Sequence, residues 1–301
     1  MKNSKKIAIV SHDAGGAEIL AAYVAQNNID CHLVLDGPAV NVFKRRLGAI
    51  NTVPLQDAIL NCDWCLCSTG WQSDLEWSAI EQARNAGKRV VAFLDHWVNY
   101  KERFIRQCTQ HLPDEIWVGD DDAERLAHVH FPNIPIRLVP NPYFIDLKAQ
   151  IAELEPSKNS VGHAGKKVLF VCENISDHSR LKYGDERYWG YTESDAIKFF
   201  FENIKEIDPA IDQVVIRPHP SDIPGKYDWV LDAWPKMTKL SDGKPLINEV
   251  AESDIVVGCE SMAMVVGLLA QKQVISSIPS YKHKCSLPQK DILHLKDIVT
   301  K

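Results

Sequence analysis

Short runs of apolar residues alternate with longer amphipathic stretches along the first half of the chain, beginning with IAIVS at 7–11. Short runs that are apolar throughout are typical of strands buried on both faces, and the stretches between them are typical of helices. The predicted strands are 7–11, 31–35, 63–68, 89–94, 115–118 and 136–139, and the predicted helices are 17–26, 74–85 and 121–130. The pattern predicts a parallel sheet with helices on both faces.

The second half repeats this alternation after a polar interruption. Residues 151–166 contain EPSKNSVGHAGK, which is polar, contains Gly, Ser and Pro, and is typical of an interdomain linker. The strands predicted after it are 168–172, 213–216, 254–257 and 274–277, and the helices are 194–207, 246–251 and one that ends at 270. We therefore predict an α/β chain of two Rossmann-like doubly wound domains, 1–150 and 167–301, that face each other across a cleft.

Composition and charge narrow the class of protein. The 301 residues carry a formal net charge of −6 and a pI near 6.0, whereas a non-specific nucleic-acid binder is usually basic. No apolar run reaches the roughly 18 residues that span a bilayer. The basic start leads into a strand-like run rather than a signal sequence. We expect a cytoplasmic protein with no nucleic-acid partner and no transmembrane segment.

The eight cysteines include a cluster, CDWCLC, at 62–67. A zinc site would need a second pair of ligands at similar spacing, and the sequence contains no second CxxC. The cluster also falls in an apolar, strand-like run. We therefore predict buried, reduced thiols and no metal site.

A glycine loop, Asp13-Ala14-Gly15-Gly16, follows the first predicted strand. Glycines at this position allow a tight turn and the close approach of a ligand, and the helix that follows offers free amides. The dinucleotide and Walker A motifs are both absent from the sequence. The loop is therefore either a ligand-binding loop or an ordinary strand-to-helix turn.

RPHPSD, at 217–222, follows a predicted strand of the second half, where open parallel sheets bind ligands. Arg217 can pair with a phosphate, and His219 can donate a hydrogen bond to one. Pro218 and Pro220 restrict the backbone on both sides of the histidine. The alternative is a structural histidine at the start of a loop.

A third motif, GCESM at 258–262, joins a predicted strand to a helix. Ser261 would lie near the helix N-terminus, where a hydroxyl group and backbone amides suit an anion. Glu260 and Met262 flank it. The alternative is an ordinary N-cap serine.

Further polar residues stand at the ends of predicted strands. Asp95 and His96 follow the fourth strand of the first half, and they could supply a general base. Glu173 and Asn174 follow the first strand of the second half. The polar stretch 178–191 then predicts a mobile loop over the cleft.

The spacing of RPHPSD and GCES resembles the second domain of GT-B glycosyltransferases. It is most similar to the bacterial families with an HP motif, namely sialyltransferases, Kdo transferases and polyol-phosphate transferases. The resemblance implies that His219 and Ser261 contact the donor phosphate and that Glu260 lies near the nucleotide ribose. The stretch from 246 to 276 is also similar to the nucleotide-binding region of hydrolysing UDP-sugar 2-epimerases, which share the fold.

The resemblance implies a metal-independent glycosyltransferase of bacterial surface polysaccharide or glycoconjugate synthesis. Its donor would be a CMP- or UDP-linked sugar, with no separate cofactor. The acceptor would be a glycan, a lipid-linked species or a protein, held by the first domain. Asp13 or Asp95 would remove the acceptor proton. Two other functions stay open, an epimerase or hydrolase of nucleotide sugars and a non-catalytic scaffold of the same fold, and the oligomeric state is left undetermined.

Overall fold

The computed structural model describes residues 5–70, 72–154 and 165–300. The chain divides into two compact units between Asp146 and Leu147. Part of the expected linker is helical, because a helix continues to Leu154 with Ile151 buried. Residues 155–164 of that linker lie outside the described residues.

The first unit alternates strands and helices, as its apolar pattern predicts. Its elements are β1 (Ile7–Ser11), α1 (Ala14–Asn27), β2 (Cys31–Leu35), α2 (Pro38–Leu47), α3 (Leu55–Asn61), β3 (Trp64–Cys67), α4 (Leu75–Asn85), β4 (Arg89–Leu94), the ribbon β5 (Ile105–Arg106) and β6 (Thr109–Gln110), β7 (Glu115–Val118), α5 (Asp121–His130), β8 (Ile136–Leu138) and the start of α6 (Pro142–Leu154), within which the first unit ends. Each predicted strand forms, with its ends shifted by at most one residue.

The main sheet of the first unit is parallel, with the order β2-β1-β3-β4-β7-β8. The order in which strands are added to the sheet changes side at β1, because β2 lies on one side of β1 and β3 lies on the other. In an open α/β sheet, ligands bind at the carboxyl ends of the strands on either side of such a switch point. The first unit therefore has a candidate site at the ends of β1 and β3.

The second unit begins after the undescribed residues. Its elements are β9 (Lys166–Val171), α7 (Ile175–Tyr183), α8 (Glu193–Glu202), α9 (Ile204–Ile207), β10 (Ile211–Arg217), α10 (Asp228–Ala233), β11 (Thr238–Leu240), α11 (Leu246–Ala251), β12 (Ile255–Gly258), α12 (Met262–Leu269), β13 (Gln273–Ser276), β14 (Ile292–His294) and α13 (Leu295–Val299). The sheet is again parallel, in the order β11-β10-β9-β12-β13-β14. This is the Rossmann strand order, and its switch point lies between β9 and β12.

Two expectations for the second unit are wrong. The stretch 178–191, expected to be a loop, begins as helix α7, because Ile175 and Ser179 are buried on one face of it. The ring of Tyr183, the last residue of α7, stacks on the ring of Tyr188 with centroids 3.7 Å apart. The helix expected at 194–207 is interrupted at Asn203.

Each sheet is covered by its own apolar core. Strand β1 is buried at every position, and Phe43 and Leu66 pack in the same cluster. The second unit buries Phe170 and Phe200 between its sheet and α8. No helix among the described residues is long and apolar enough to cross a membrane.

Candidate functional site

Asp13 stands at the carboxyl end of β1, immediately before helix α1. Its side chain does not cap that helix. Its Oδ1 lies 2.8 Å from His12 Nδ1, and 24% of the side chain is exposed. An ionised carboxylate can only accept, so His12 Nδ1–H donates and orients the carboxylate. Asp13 is therefore a fixed, accessible carboxylate at the switch point, which is what a general base requires.

Glu76, in the first turn of α4, is a buried carboxyl group that the sequence analysis missed. Its Oε1 accepts the His12 amide and the Ser68 hydroxyl, each at 2.9 Å. Within the part of the chain that the structure describes, its buried Oε2 has no hydrogen-bond partner. Burial raises the pKa of Glu76, and the charge of Asp13 raises it further, against the lowering effect of those donors. Glu76 thus ties the end of β1 to the end of β3.

The glycine loop is explained by close packing. A Cβ atom on Gly15 would lie 2.8 Å from Asp95 Oδ2, and one on Gly16 would lie 2.3 Å from Ser68 Cβ. Gly16 is buried, whereas Gly15 is exposed. The backbone of Gly16 therefore serves the contact between α1 and β3, and of the two glycines only Gly15 is open to a ligand.

We expect Gly16→Ala to destabilise the protein by about 2 kcal/mol, because Ser68 is fully buried and its Cβ cannot rotate away from the clash. Thermal unfolding would measure the loss. The double variant Gly16→Ala/Ser68→Gly removes the clashing carbon. Its loss in free energy of unfolding should therefore be smaller than the sum of the losses in the two single variants. Simple additivity would show that this contact does not explain the glycine.

Asp95 and His96 follow β4, as expected, and have different partners. Asp95 Oδ1 accepts from Arg103 Nη1 at 2.7 Å and from the Thr69 hydroxyl at 3.2 Å. His96 Nδ1 accepts the amide of Trp97 at 3.0 Å. The sequence predicts that Asp95 and His96 could supply a base, but Asp95 already forms an ion pair with Arg103. Asp13 is therefore the more available carboxylate.

In the second unit, His219 is exposed on the loop after β10. The amide of Ser221 donates to His219 Nδ1 at 3.2 Å, and the Ser221 hydroxyl lies 2.7 Å from the same atom. An atom that accepts a backbone N–H carries no proton, so in the neutral ring the proton is on Nε2. His219 therefore presents a hydrogen-bond donor on its outer edge, as contact with a phosphate requires.

Asn174 links this loop to helix α7. Its Nδ2 donates to the Ser221 hydroxyl at 3.1 Å, and its Oδ1 accepts from Lys226 at 3.3 Å. Asp222 accepts the His219 amide at 2.7 Å and the Tyr227 hydroxyl at 3.0 Å. These contacts hold the imidazole in one orientation, so the predicted residues Asn174 and His219 belong to one site.

Lys226 is the centre of this polar network. Its Nζ lies 2.5 Å from Glu193 Oε1 and 2.7 Å from Asp222 Oδ1, and the two carboxylate side chains are 5% and 0% exposed. Burial would lower the pKa of Lys226, but the two carboxylates outweigh burial and raise it. The sequence analysis missed Lys226, Asp222 and Glu193, although the Asp222 of RPHPSD lay inside a motif that was examined.

Glu173 faces the GCES loop across the switch point. Its Oε1 accepts the amides of Cys259, Glu260 and Ser261 at 2.8, 2.8 and 3.0 Å. The sequence predicts that the hydroxyl group of Ser261 and the backbone amides near it suit an anion. Burial raises the pKa of Glu173 to about 7, helped by the charge of Glu260 and opposed by the three amides. The chain's own carboxyl group therefore occupies the anion position.

Ser261 is the N-cap of α12, and its Oγ accepts the Ala263 amide at 3.1 Å. The alternative interpretation of this serine is thus confirmed as far as its hydroxyl group is concerned. Met262 begins the helix and is half-buried. Glu260 Oε1 lies 3.0 Å from His283 Nε2. Burial would raise the pKa of Glu260, but His283 and the Ser286 amide outweigh burial and lower it.

Arg217 is engaged elsewhere in the second unit. Its Nη1 donates to the Lys244 carbonyl at 2.8 Å and pairs with Glu249, whose side chain is 5% exposed. Binding a phosphate through Nη1 would require Arg217 to leave a buried carboxylate. Pro220 is exposed beside His219 and limits the backbone of that loop.

The structure brings the predicted residues together in two groups. Asp13, Gly15 and Asp95 lie at the edge of the first sheet, and Glu173, Asn174, His219, Glu260 and Ser261 lie at the edge of the second. The burial of Glu76, in the first turn of α4, could not be recognised from sequence, because a glutamate on a helix is usually solvated.

The cysteines of the CDWCLC cluster lie in strand β3 and just before it. No group of three or more His, Cys, Asp or Glu side chains among the described residues is placed to hold a metal ion. Cys62, Cys65 and Cys67 are free and buried, as the sequence predicts. Burial raises the pKa of each of these thiols.

No protein-family model matches the chain, and no curated protein matches it. Among solved structures, the chain is similar to the E. coli heptosyltransferase WaaC with ADP-2-deoxy-2-fluoro heptose. The identity is 11%, the coverage is 96% of this chain and 92% of that chain, and the TM-score is 0.41. The assignment of two doubly wound α/β units rests on the strand orders described above.

Proposed function

We propose that the chain is a nucleotide-sugar-dependent glycosyltransferase of the GT-B type, in bacterial surface polysaccharide or glycoconjugate synthesis. The observation that carries the proposal is the convergence of Glu173, Asn174, His219 and the GCES loop at the switch point of a Rossmann-type sheet. This is where such sheets bind nucleotides. Within the GT-B type we propose the families with an HP motif, because RPHPSD resembles that motif.

His219 is the residue we assign to the donor phosphate. In transfer, the acceptor oxygen bonds to the anomeric carbon while the bond from that carbon to the phosphate oxygen breaks, and the phosphate leaves with the electron pair. The Nε2–H of His219 can stabilise that negative charge. We propose that this donor replaces a metal and that no separate cofactor is needed.

Asp13 is the residue we assign to the acceptor. Removal of the hydroxyl proton makes the acceptor oxygen a better nucleophile, and the carboxylate that receives this proton must be oriented and accessible. Asp13 meets both conditions, since His12 fixes it and 24% of its side chain is exposed. The acceptor is proposed to be a glycan, a lipid-linked species or a protein.

Thermal shift with CMP, CDP, UDP and GDP tests the donor site. A nucleotide at about 100 times its Kd should stabilise the folded protein by about 2.7 kcal/mol, which raises the melting temperature. His219→Ala should weaken binding of that nucleotide by about 10- to 100-fold, the value of a hydrogen bond to a charged group. His128→Ala, at an exposed histidine of the first unit, is the control and should bind like the wild type.

An unchanged melting curve with all four nucleotides would refute the proposed function. If a nucleotide binds, incubation of its sugar donor without acceptor separates the remaining possibilities. Fast turnover would indicate an epimerase or hydrolase, and slow leakage fits transfer. Binding without any turnover would favour the scaffold.

A further inference from the structure

Stacked aromatic rings stand at the carboxyl edge of the second sheet, in the segment that follows α7. The rings of Tyr183 and Tyr188 are nearly parallel, with centroids 3.7 Å and planes 7° apart, and the ammonium group of Lys182 lies over the Tyr183 ring at 5.2 Å. Trp189 meets Tyr188 edge-on, with centroids 4.9 Å apart. Tyr188 is nevertheless 48% exposed, and no second ring among the described residues is stacked on it. The stack therefore ends in an aromatic ring that faces solvent.

The backbone around Tyr188 is fixed. Gly184, which ends α7, and Gly190 have positive φ angles of 76° and 82°. The Tyr188 amide donates to the Asp185 carbonyl at 3.2 Å. A Cβ atom on Gly190 would lie 2.6 Å from Ser280 Oγ, so this segment packs directly on the loop that follows β13. The exposed ring is thus oriented before any ligand binds, which lowers the entropic cost of stacking on it.

The row of rings continues inward to the GCES loop. The Trp189 ring lies 4.6 Å from the ring of His283, and His283 Nε2 lies 3.0 Å from Glu260 Oε1. Trp189, Glu260 and His283 follow the carboxyl ends of β9, β12 and β13, which are neighbours in the sheet. The exposed ring of Tyr188 therefore borders the loop that the proposed function places in the donor site.

The charge of the loop after β13 favours an anionic ligand. This loop carries Lys282, Lys284 and Lys290 and has no acidic residue between 277 and 290. Lysines attract an anion, and a flat ring with a π-face stacks on the ring of a tyrosine. A nucleoside phosphate has both features. A sugar phosphate has no aromatic ring, and an aromatic side chain of another protein has no phosphate.

We propose that the base of the donor nucleotide stacks on the exposed ring of Tyr188, with the edge of Trp189 beside it. The contact forms and breaks no covalent bond. It rests on the proposed function, because it concerns the nucleotide of the same donor, and it extends the site from the phosphate to the base. Because every base has a π-face, such a stack separates nucleotides from simple sugar phosphates rather than one base from another.

Tyr188→Ala tests the stack. The affinity for the nucleotide that the screen of CMP, CDP, UDP and GDP identifies should fall about 5- to 150-fold, the usual contribution of one base stacked on an aromatic ring. The affinity for ribose 5-phosphate, which has no base, should stay within about twofold of wild type. Calorimetric titration of each compound into wild type and variant measures both values.

Two further variants and a spectroscopic measurement accompany this test. Tyr188→Phe keeps the ring and should bind the nucleotide like the wild type. Leu181→Ala removes an apolar side chain of α7 that is 86% exposed and lies outside the stack, so it is the matched control and should also bind like the wild type. In the wild-type complex, the ring current of Tyr188 should move the NMR signals of the base protons upfield, and Tyr188→Ala should abolish that shift.

The outcomes separate this inference from the proposed function. If Tyr188→Ala weakens the nucleotide and ribose 5-phosphate equally, or weakens neither, the stack is refuted and the donor site stands. If no nucleotide binds the wild type, the proposed function fails and this inference fails with it. If ribose 5-phosphate binds too weakly to measure, or if Tyr188→Ala does not fold, the base protons of the wild-type complex decide, because unshifted signals would refute the stack.

Discussion

Asp13→Asn should lower donor turnover by about 10²- to 10⁴-fold, the usual contribution of a general base. Asparagine has nearly the same shape and can still accept the His12 Nδ1–H, but its amide cannot take up a proton. The binding of nucleotide by the second unit should stay within twofold of wild type. The measurement is release of CMP or UDP from the donor that the nucleotide screen identifies, with water as the acceptor.

Two other variants sharpen this test. Asp57→Asn changes an exposed aspartate of the same unit and should have no effect. Asp95→Asn distinguishes the two candidate bases. If turnover falls in Asp95→Asn and is unchanged in Asp13→Asn, the base is Asp95 despite its pairing with Arg103. If neither variant loses turnover, neither carboxylate is the base.

Lys226→Met should destabilise the protein by about 3 kcal/mol, the largest stability effect expected of a single change here. The substitution leaves two buried carboxylates, Glu193 and Asp222, without their cation. For a unit of the size of Leu147–Lys301 the melting temperature should fall by roughly 6 to 12 °C. Lys226→Arg should lose much less stability, because it keeps the cation. Lys236→Met, at an exposed lysine, should lose almost no stability.

The effect of Lys226→Met should depend on pH with a definite sign. The pKa of Glu193 is lowered in the folded protein, because Lys226 and Ser176 outweigh burial. The stability that the ionised carboxylate contributes is present above its unfolded pKa, near 4.3, and is lost as the pH falls through the lower folded value. The difference in free energy of unfolding between wild type and Lys226→Met should therefore become smaller below about pH 5. A difference that stays constant down to about pH 4 would show that the loss of stability comes from packing.

The fold could be predicted from sequence where burial is complete. Strands such as β1 and β4 are apolar throughout because helices cover both faces of the sheet, and that pattern is visible in one dimension. Strands β11 and β14, three residues each at the edges of the second sheet, were missed because so short a segment has no detectable period. Helix α7 was missed because its exposed face is rich in polar residues.

The candidate site was predictable at the level of its loops and not of its contacts. His219 and Asn174 each come soon after the end of a predicted strand, and parallel strands bring their carboxyl ends to one edge of the sheet. That Glu173 would accept three amides of a loop 86 to 88 residues later depends on the pairing of β9 with β12. Sequence distance carries no information about that pairing. The same holds for Glu76 and the amide of His12.

Short edge strands have a consequence for solubility. Parallel sheets form slowly, because each strand must find a partner across a long crossover, and unpaired edges are where partly folded chains aggregate. Strands β8, β11 and β14 are each only three residues long. The free edge of β2 is partly covered, because Thr52 pairs with Leu33 and the Val53 amide donates to the Leu33 carbonyl. None of these borders offers a long template for a second chain. The protein should therefore stay monodisperse during refolding at concentrations where longer edges would precipitate.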